Sequence, residues 1–294
     1  SEAYGFLFKL LCDPGDAVAT PVPSYPLFEF LSTVESVAHY DYPLVYETGC
    51  WRLDEGGLLH SLRDGTRAII AVHPNNPTGH FVKSEEFRTL RTACRERSLA
   101  LICDEVFWDF SLAAAPKLDP AEETETLTFV LNGVSKLLGL PQLKLGWIVL
   151  RGPAALKKEA RERLGFIADT FLSVSSPVQN ALPRLMELRL PIQEQILRRL
   201  ENNLKTLHRE TVNSAVSVLT LEGGWTAILR LPFVLDDEDW ALQLLERHNV
   251  VVHPGYFYGI PDSAHLVLSL LPEEAVFREG VRRIVLLSKE VAEA

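Results

Sequence analysis

The chain has 294 residues, of which 47% are hydrophobic, and this is enough for one large domain or two moderate ones with a sizeable core. Its formal net charge is −10, which argues against a basic surface for nucleic acid or for an anionic membrane. No apolar run approaches the length of a membrane span.

The four cysteines are widely spaced, and none of them belongs to a CxxC pair. They are Cys12, Cys50, Cys94 and Cys103. The common zinc and redox motifs are therefore missing from this sequence, and we expect no metal site. Scattered thiols are most often core residues of proteins kept in a reducing compartment, so we expect a cytoplasmic protein.

The first predicted element is an amphipathic helix, for which Ser1 is a suitable cap. The apolar residues on one of its faces are Tyr4, Leu7, Phe8 and Leu11. The sequence begins inside this helix and without an initiator Met. We therefore expect a fragment or a processed product that lacks an N-terminal segment.

Apolar strands then alternate with helices as far as residue 150. The predicted strands cover residues 17–21, 36–44, 67–72, 99–107, 126–132 and 145–150. The predicted helices cover residues 24–35, 58–66 and 84–98, the last with Ser84 as its N-cap. This alternation predicts an α/β fold in which a mostly parallel sheet is sandwiched by helices.

The pattern changes after residue 175. A long, arginine-rich helical signal runs from Pro177 to Val212. The later elements are a hairpin signal at Gly223-Gly224, a helix over 236–249, strands over 250–254 and 265–271, and a helix from Pro272. Strands flanked by helices predict a smaller α+β domain. We place the large domain at residues 1–175 and the small C-terminal domain at 176–294.

Three polar clusters directly follow predicted strands of the large domain: Asn75-Asn76, Asp104-Glu105 and Ser135-Lys136. Ligands of open parallel sheets bind beyond the carboxyl ends of the strands, where these clusters would meet. Each cluster alone has a simpler explanation, since the first suits a tight turn, the second a helix cap and the third a solvated loop. Their common place at strand ends favours a functional site.

A strand that ends in Asp104-Glu105 is also typical of nucleotide hydrolases, in which it holds Mg²⁺. That class needs a GxxxxGK[ST] loop, which the sequence lacks. GxGxxG, GxSxG and HExxH are missing as well, which counts against Rossmann dehydrogenases, α/β-hydrolases and zincins.

The segment GVSKLLGLPQLKLGW holds Lys136 and Lys144 among apolar and turn-forming residues, with no acid between them. A lysine that loses its proton is a nucleophile, and a second cation nearby helps it to do so. The segment is therefore a candidate for a reactive lysine.

Four motifs, SYP, NNPTG, DEVF and SKLLGLPQLKLGW, follow one another in this order. In these motifs the chain resembles the class I/II aminotransferases of pyridoxal 5′-phosphate (PLP) fold type I, the family of aspartate aminotransferase. The resemblance covers the whole chain. It implies PLP as cofactor, the fold-type I architecture and a homodimer in the full-length form. Family members also carry a further N-terminal segment.

The resemblance implies a role for each residue that matches a motif. Lys136 forms the Schiff base with PLP, and Asp104 pairs with the pyridine nitrogen, which keeps the ring electron-withdrawing. Asn76 bonds to the ring hydroxyl, while Tyr25 and Val106 cover the two faces of the ring.

The resemblance places the cofactor phosphate at Ser1 and the N-terminus of its helix, with help from Ser135 and Lys144. A helix N-terminus with free N–H groups is a suitable anion site. Lys144 stands where the family usually has an arginine, so it keeps the charge but loses the bidentate geometry. Gly133 stands where the family often has a serine.

Two departures bear on the ring and the substrate. Phe107 replaces a usual tyrosine, which removes one hydrogen bond to the ring hydroxyl. Val267 stands at the position of the arginine that binds the substrate's α-carboxylate, and a buried valine cannot hold a carboxylate. The cations considered in its place are Arg230, His265 and Arg278, and the sequence does not select one of them. We expect Tyr256, Phe257 and Tyr258 to form an apolar pocket wall.

The leading interpretation is a PLP-dependent aminotransferase that moves an amino group between an amino acid or amine and a 2-oxo acid, through Lys136. One alternative is other PLP chemistry, such as a C–S lyase or a decarboxylase-like enzyme, because the same cofactor serves several bond cleavages. The other alternative is a non-catalytic, ligand-sensing domain, which the valine at 267 leaves open.

Overall fold

The computed structural model describes residues 1–113, 125–261 and 264–293. Within these ranges, none of the helices combines the length and the apolar character that a membrane span requires. The backbone of the described residues forms two sheets, of seven and of four strands, which the helices cover.

The larger sheet is built from the first half of the chain. The elements there are α1 (Glu2–Leu11), β1 (Ala17–Val22), α2 (Phe28–Val34), β2 (Ala38–Glu47), β3 (Cys50–Leu53), α3 (Glu55–Ser61), β4 (Thr66–Val72), α4 (Ser84–Arg97), β5 (Ala100–Asp104), β6 (Thr128–Gly133), α5 (Val134–Leu137), β7 (Gly146–Arg151) and α6 (Ala154–Phe171). The strand order is β3-β2-β1-β4-β5-β6-β7. The β1, β2, β4, β5 and β6 strands are mutually parallel, while β3 and β7 pair antiparallel at the two edges.

Alternation along the strands explains why helices cover both faces of this sheet. Ile69 and Leu101 belong to the core beneath α3 and α4, whereas their neighbours Ile70 and Ile102 belong to the core beneath α1 and α6. Full burial of one such side chain stabilises the fold by about 1.5–3 kcal/mol relative to its exposure. The predicted α/β class with a mostly parallel sheet between helices is confirmed. We call the side where β1, β4, β5 and β6 end the carboxyl edge.

The smaller sheet is built from the second half of the chain. The elements there are α7 (Ser176–Glu187), α8 (Arg189–Thr211), β8 (Ser217–Val218), β9 (Thr226–Arg230), α9 (Asp237–His248), β10 (His253–Pro254), β11 (His265–Ser269) and α10 (Glu274–Glu293). The four strands pair antiparallel in the order β10-β11-β9-β8. The predicted division into domains at residues 175 and 176 stays a prediction.

The two faces of the smaller sheet have different partners. Ala227 and Leu229 of β9 share a core with Trp240 of α9 and with apolar residues of α8 and α10. Ile228 of β9 and Val267 of β11 instead belong to the core that includes residues of β1, β4 and β5. One face is therefore covered by its own helices, and the other face is turned towards the larger sheet.

Several local predictions were wrong in detail. The helical signal over 177–212 is two helices, because Pro191 lacks an N–H and lies in the first turn of α8, where proline is tolerated. Lys83, not Ser84, occupies the N-cap position of α4, where its backbone N–H donates to the Glu86 carboxylate at 2.7 Å. The segment around Lys136, predicted as a loop, is the short helix α5.

Candidate active site

Asp104 ends β5 at the carboxyl edge, and its carboxylate is held from two sides. Tyr4, on the buried face of α1, donates its hydroxyl to Oδ2 at 2.7 Å, and the Val106 backbone N–H donates to Oδ1 at 3.1 Å. Burial raises the pKa of Asp104, while the two donors, the terminal amino group and Lys136 act in the opposite direction. The hydrogen bonds fix the orientation of this buried carboxylate.

Lys136 lies on α5, directly after the strand that neighbours β5. Burial lowers the pKa of its amine, and the charge of Asp104 acts in the opposite direction. The amine nitrogen lies 5.3 Å from the ring centroid of Trp225 and 5.6 Å from that of Phe107. The amine is therefore partly withdrawn from water, within reach of two aromatic rings and of one carboxylate.

Gly133 forms the junction between β6 and α5, and the backbone of Leu145 and Gly146 comes very close to it. A Cβ at this position would lie 2.8 Å from the carbonyl oxygen of Leu145 and 2.9 Å from the Cα of Gly146. Both neighbours are backbone atoms, which cannot move away as a flexible side chain can. A serine, which the family often has here, does not fit this backbone arrangement.

Positive groups gather beside Asp104. Ser1 occupies the N-cap position of α1, although its side chain makes no capping hydrogen bond. The charges of Asp104, Glu2 and Lys144 all act at Ser1, so these residues lie near one another. Lys144 is exposed after the turn Pro141–Leu143, and Ser135 is half-buried in α5. The helix terminus and the lysine together favour an anion.

Asn76 and Tyr25 follow β4 and β1, and both contact the smaller sheet. Thr226, the first residue of β9, donates its hydroxyl to Oδ1 of Asn76 at 3.2 Å. Tyr25 is 50% exposed, and its ring centroid lies 6.5 Å from that of Tyr258. Val106 is half-buried and packs against the core of the smaller sheet. The predicted site residues thus follow the ends of β1, β4, β5 and β6 or lie beside them.

Val267 is 3% exposed and lies opposite Ile228 in the smaller sheet. His265 and Arg230, two of the cations considered in its place, form the cross-strand pair at the end of β9 and β11 that is farther from Asn76. Burial and the charge of Arg230 lower the pKa of His265 to about 4. Arg278 lies on α10, which covers the other face of this sheet.

The segment Leu221–Thr226, here called the crossing segment, ties the smaller sheet to the larger one. The Glu222 carboxylate accepts the Phe81 backbone N–H at 3.0 Å and pairs with the Lys83 ammonium. The Glu222 backbone N–H donates to the carbonyl of Gly79 at 3.2 Å. The same segment brings its tryptophan to the amine at position 136 and its threonine to the asparagine at the end of β4.

The sequence reasoning assigned no role to Tyr4, Trp225 or Glu222. Tyr4 was recognised only as part of the apolar face of α1, and the pattern gave no sign that its hydroxyl meets a carboxylate. The only signal near Trp225 and Glu222 was the glycine pair at 223 and 224, which indicated a turn.

These groups fit the cofactor that the resemblance implies. A buried, fixed carboxylate suits a protonated pyridine nitrogen, and a partly desolvated amine suits a reactive aldehyde. Lys144 and the N-terminus of α1 suit a phosphate. In the part of the chain that the structure describes, no group of three or more His, Cys, Asp or Glu side chains could hold a metal ion.

Comparisons with known proteins show the family of this chain. The family model for aminotransferase class I and II matches residues 1–284. Alanine aminotransferase of Mycobacterium tuberculosis is 27% identical over 292 residues, which are 97% of this chain and 68% of that protein. Glutamate-pyruvate aminotransferase AlaA of Haemophilus influenzae is 26% identical over 302 residues, with 97% of this chain and 72% of that protein covered.

Solved structures show the same fold. Tyrosine aminotransferase from Leishmania infantum superposes with a TM-score of 0.90 at 22% identity, over 98% of this chain and 72% of that one. Alanine aminotransferase from Pyrococcus furiosus gives a TM-score of 0.89 at 22% identity, over 100% of this chain and 74% of that one.

Proposed function

The chain belongs to the class I and II aminotransferases, a family of PLP-dependent enzymes, and on that premise we propose that Lys136 and Asp104 are its catalytic pair. PLP, when bound, supplies an electron sink for the electrons released at the substrate Cα. Lys136 is the amine that carries the cofactor, and Asp104 is the partner of its ring nitrogen. The observation that carries this proposal is the placement of the two groups beyond adjacent parallel strands, each within the electrostatic field of the other.

Asp104 holds a proton at the ring nitrogen. Its two oxygens accept from Tyr4 and from the Val106 backbone N–H, so the carboxylate cannot turn away without breaking both bonds. Burial also means that little water competes for it. The carboxylate is therefore oriented before any ligand arrives.

Lys136 would act as the base that removes a proton from the substrate Cα, with the bound cofactor supplying the electron sink. A general base works best when its pKa is near the operating pH, and burial lowers the pKa of this amine in that direction. The rings of Trp225 and Phe107 restrict water beside the amine. The amine is thus a better base and nucleophile than a solvated lysine.

The remaining residues hold the cofactor. Ser1 with the start of α1, Ser135 and Lys144 bind the phosphate. Asn76 donates to the ring hydroxyl through its side-chain N–H₂, since its Oδ1 already accepts from Thr226. Tyr25 and Val106 cover the two faces of the ring.

The substrates we propose are an amino acid or amine as donor and a 2-oxo acid as acceptor. This proposal is supported by the names of the relatives, which are alanine, glutamate-pyruvate and tyrosine aminotransferases. The comparisons do not favour a lyase, a decarboxylase or a ligand-sensing domain.

We also propose a cytoplasmic homodimer with a large domain at residues 1–175 and a small domain at 176–294. The four cysteines are free, which supports a reducing compartment. Phe166 and Phe171 of α6, and Leu172 directly after it, are exposed apolar side chains, which supports a face covered by a second subunit.

Borohydride reduction tests the assignment of Lys136. The protein is incubated with PLP, reduced, digested and mapped by mass spectrometry, and the pyridoxyl mass should appear on the peptide that contains Lys136. The Lys136→Ala variant, treated alike, should carry no such label. Label on another lysine in the wild-type protein would overturn the assignment. Release of ammonia or CO₂, instead of an aminated acceptor, would overturn the reaction type.

A further inference from the structure

We propose that His253, oriented by Tyr258, receives the carboxylate of the 2-oxo acid and amino acid substrates. This inference rests on the proposed function, because it concerns the substrates of that reaction. A carboxylate that enters an apolar site needs at least one hydrogen-bond donor or cation. Val267 and Ile228, at the centre of the face turned towards the larger sheet, offer neither.

The position of the smaller sheet over the carboxyl edge is fixed at three points. The Ser24 backbone N–H, just after β1, donates to the carbonyl of Tyr258 at 2.9 Å. Thr226 bonds to Asn76 after β4, and Trp225 lies beside Lys136 after β6. The strands of the smaller sheet therefore cross the edge, with β10 and its turn near β1 and β9 near β4.

Strand pairing then places His253 on the inner face. His253 lies directly opposite Val267, which lies directly opposite Ile228. Directly opposed residues of antiparallel strands project from the same face of the sheet. Val267 and Ile228 are buried towards the larger sheet, so His253 stands on that same face at its exposed margin.

Tyr258 is a hydrogen-bond partner of the His253 ring. Nδ1 of His253 lies 2.9 Å from the hydroxyl of Tyr258. Burial raises the pKa of Tyr258, so the hydroxyl keeps its proton and can donate it to Nδ1. When Tyr258 donates to Nδ1 of the neutral ring, the ring proton lies on Nε2, and that nitrogen is a donor. Tyr258 in turn lies beside Tyr25, the proposed partner of the cofactor ring.

The other cations considered near the edge, within the described residues, serve the cofactor, stay neutral or lie at the far end of β9. Lys136, Lys144 and the start of α1 serve the cofactor in the proposed function. His265, also on the inner face, is buried and has a pKa lowered to about 4, so it stays neutral at pH 7. Its strand partner Arg230 lies at the end of β9 that is farther from Asn76.

The test compares two acceptors that differ by one carboxylate. Pyruvate and acetaldehyde are each used to reload the amine form of the bound cofactor in single-turnover absorbance measurements. The variants are His253→Leu and His253→Gln, and the control is His208→Leu, an exposed histidine on α8. Loss of a hydrogen bond to a charged group predicts that His253→Leu lowers the rate constant at subsaturating pyruvate about 10- to 100-fold. The rate with acetaldehyde should change less than about twofold, and His253→Gln, which keeps an N–H donor, should be intermediate for pyruvate.

An equal loss with both acceptors in His253→Leu would overturn the inference, since it would show only a structural defect. An unchanged rate with pyruvate would overturn it as well.

Propionate provides a measurement that needs no turnover. The ring ¹³Cε1 resonance of His253, assigned by its loss in His253→Gln, should shift on titration with propionate in the wild-type protein but not in Tyr258→Phe. Absence of that shift in the wild type would overturn the carboxylate site. If the shift is present but borohydride labels no lysine at position 136, the proposed catalytic pair fails and the carboxylate site stands.

Discussion

The two walls of the site differ in how they meet a ligand. The wall from the larger sheet carries half-buried charges of both signs, Asp104 and Lys136, whose pKa values burial shifts in opposite directions. The wall from the smaller sheet offers an aromatic ring, Trp225, the aliphatic Val267 and a few hydrogen-bonding groups. The first wall, here called the chemical wall, is suited to the chemistry common to all substrates. The second, here called the substrate wall, is suited to discriminating among substrates by size and by single hydrogen bonds.

The connection between the walls is itself polar. Glu222 reaches from the crossing segment to the backbone of Phe81 and to the ammonium of Lys83. A buried or half-buried charged contact fixes one arrangement better than an apolar contact, because its loss leaves an unpaired group. The substrate wall therefore depends on a contact outside the pocket.

Removal of the amine should be the largest single effect on the chemical wall. Lys136→Ala should lower transamination by about 10⁴-fold or more, since both the point of attachment and the general base are lost. Initial rates of oxo acid formation measure this effect. Lys205→Ala, an exposed lysine of α8, should leave the rate unchanged. Retention of more than a tenth of the wild-type rate would show that the chemistry lies elsewhere.

Neutralisation of the carboxylate should separate activity from stability. Asp104→Asn should lower the transamination rate by about 10²- to 10³-fold, as typically follows loss of one preorganised electrostatic partner. The same variant, without cofactor, should melt at a higher temperature than the wild type when the pH is above the folded pKa of Asp104, because an uncharged amide avoids the cost of a buried charge.

The sign of this stability difference follows from linkage. The pKa of Asp104 is raised above 3.8 by burial, so the folded state holds its proton to a higher pH than the unfolded state. The stability of the wild type therefore falls as the pH rises from 3.8 through the folded pKa. The advantage of Asp104→Asn should grow as the pH rises through the folded pKa of Asp104 and vanish below pH 3.8, with the variant of an exposed acid, Asp64→Asn, as the control. A difference in melting temperature that does not vary with pH would contradict this account.

Disruption of the connection should affect the substrate wall more than the chemical wall. Glu222→Gln should lower kcat/KM by about tenfold, mainly through KM, and should lower the free energy of unfolding by about 1–2 kcal/mol. Steady-state kinetics and urea unfolding measure the two effects. Glu125→Gln, which removes an exposed ion pair, should change stability by less than about 1 kcal/mol. A pure fall in kcat with an unchanged KM would show that Glu222 acts on the chemistry.

The smallest expected effect concerns the phosphate end of the chemical wall. Lys144→Arg should tighten PLP binding by a few-fold, about 0.5–1 kcal/mol, because the guanidinium can bind phosphate through two N–H groups at once. Equilibrium dialysis of the cofactor measures this change, and the rate of saturated enzyme should stay the same. Weaker binding by the arginine variant would indicate that Lys144 does not contact the phosphate.

Most of the candidate site could be predicted from the polar residues at the ends of the strands. Asn76, Asp104 and Lys136 are polar residues that interrupt long apolar runs, and parallel topology brings such interruptions to one edge. Tyr4 and Glu222 were beyond this kind of reasoning, because their bonds join residues 100 and 141 positions apart in the chain. Such bonds depend on tertiary packing, which no local periodicity encodes.

Short elements were also beyond the sequence patterns. The four-residue strand β3 shows only one alternation, between the buried Trp51, the exposed Arg52 and the buried Leu53, which is too little to distinguish a strand from a turn. The break between α7 and α8 falls at a single residue, Leu188, in a continuous helical signal. The fold class survived these errors because it depends on the long buried strands.

The close approach at Gly133 has a mechanical consequence for the enzyme. Backbone packed against backbone leaves no free space between residues 145–146, which follow Lys144, and Gly133 at the start of the helix that carries Lys136. The two lysines therefore belong to closely packed parts of the backbone, so a shift of the backbone at one lysine displaces the backbone at the other. In the proposed function, this contact would fix the distance between the amine that carries the cofactor and the amine that contacts its phosphate.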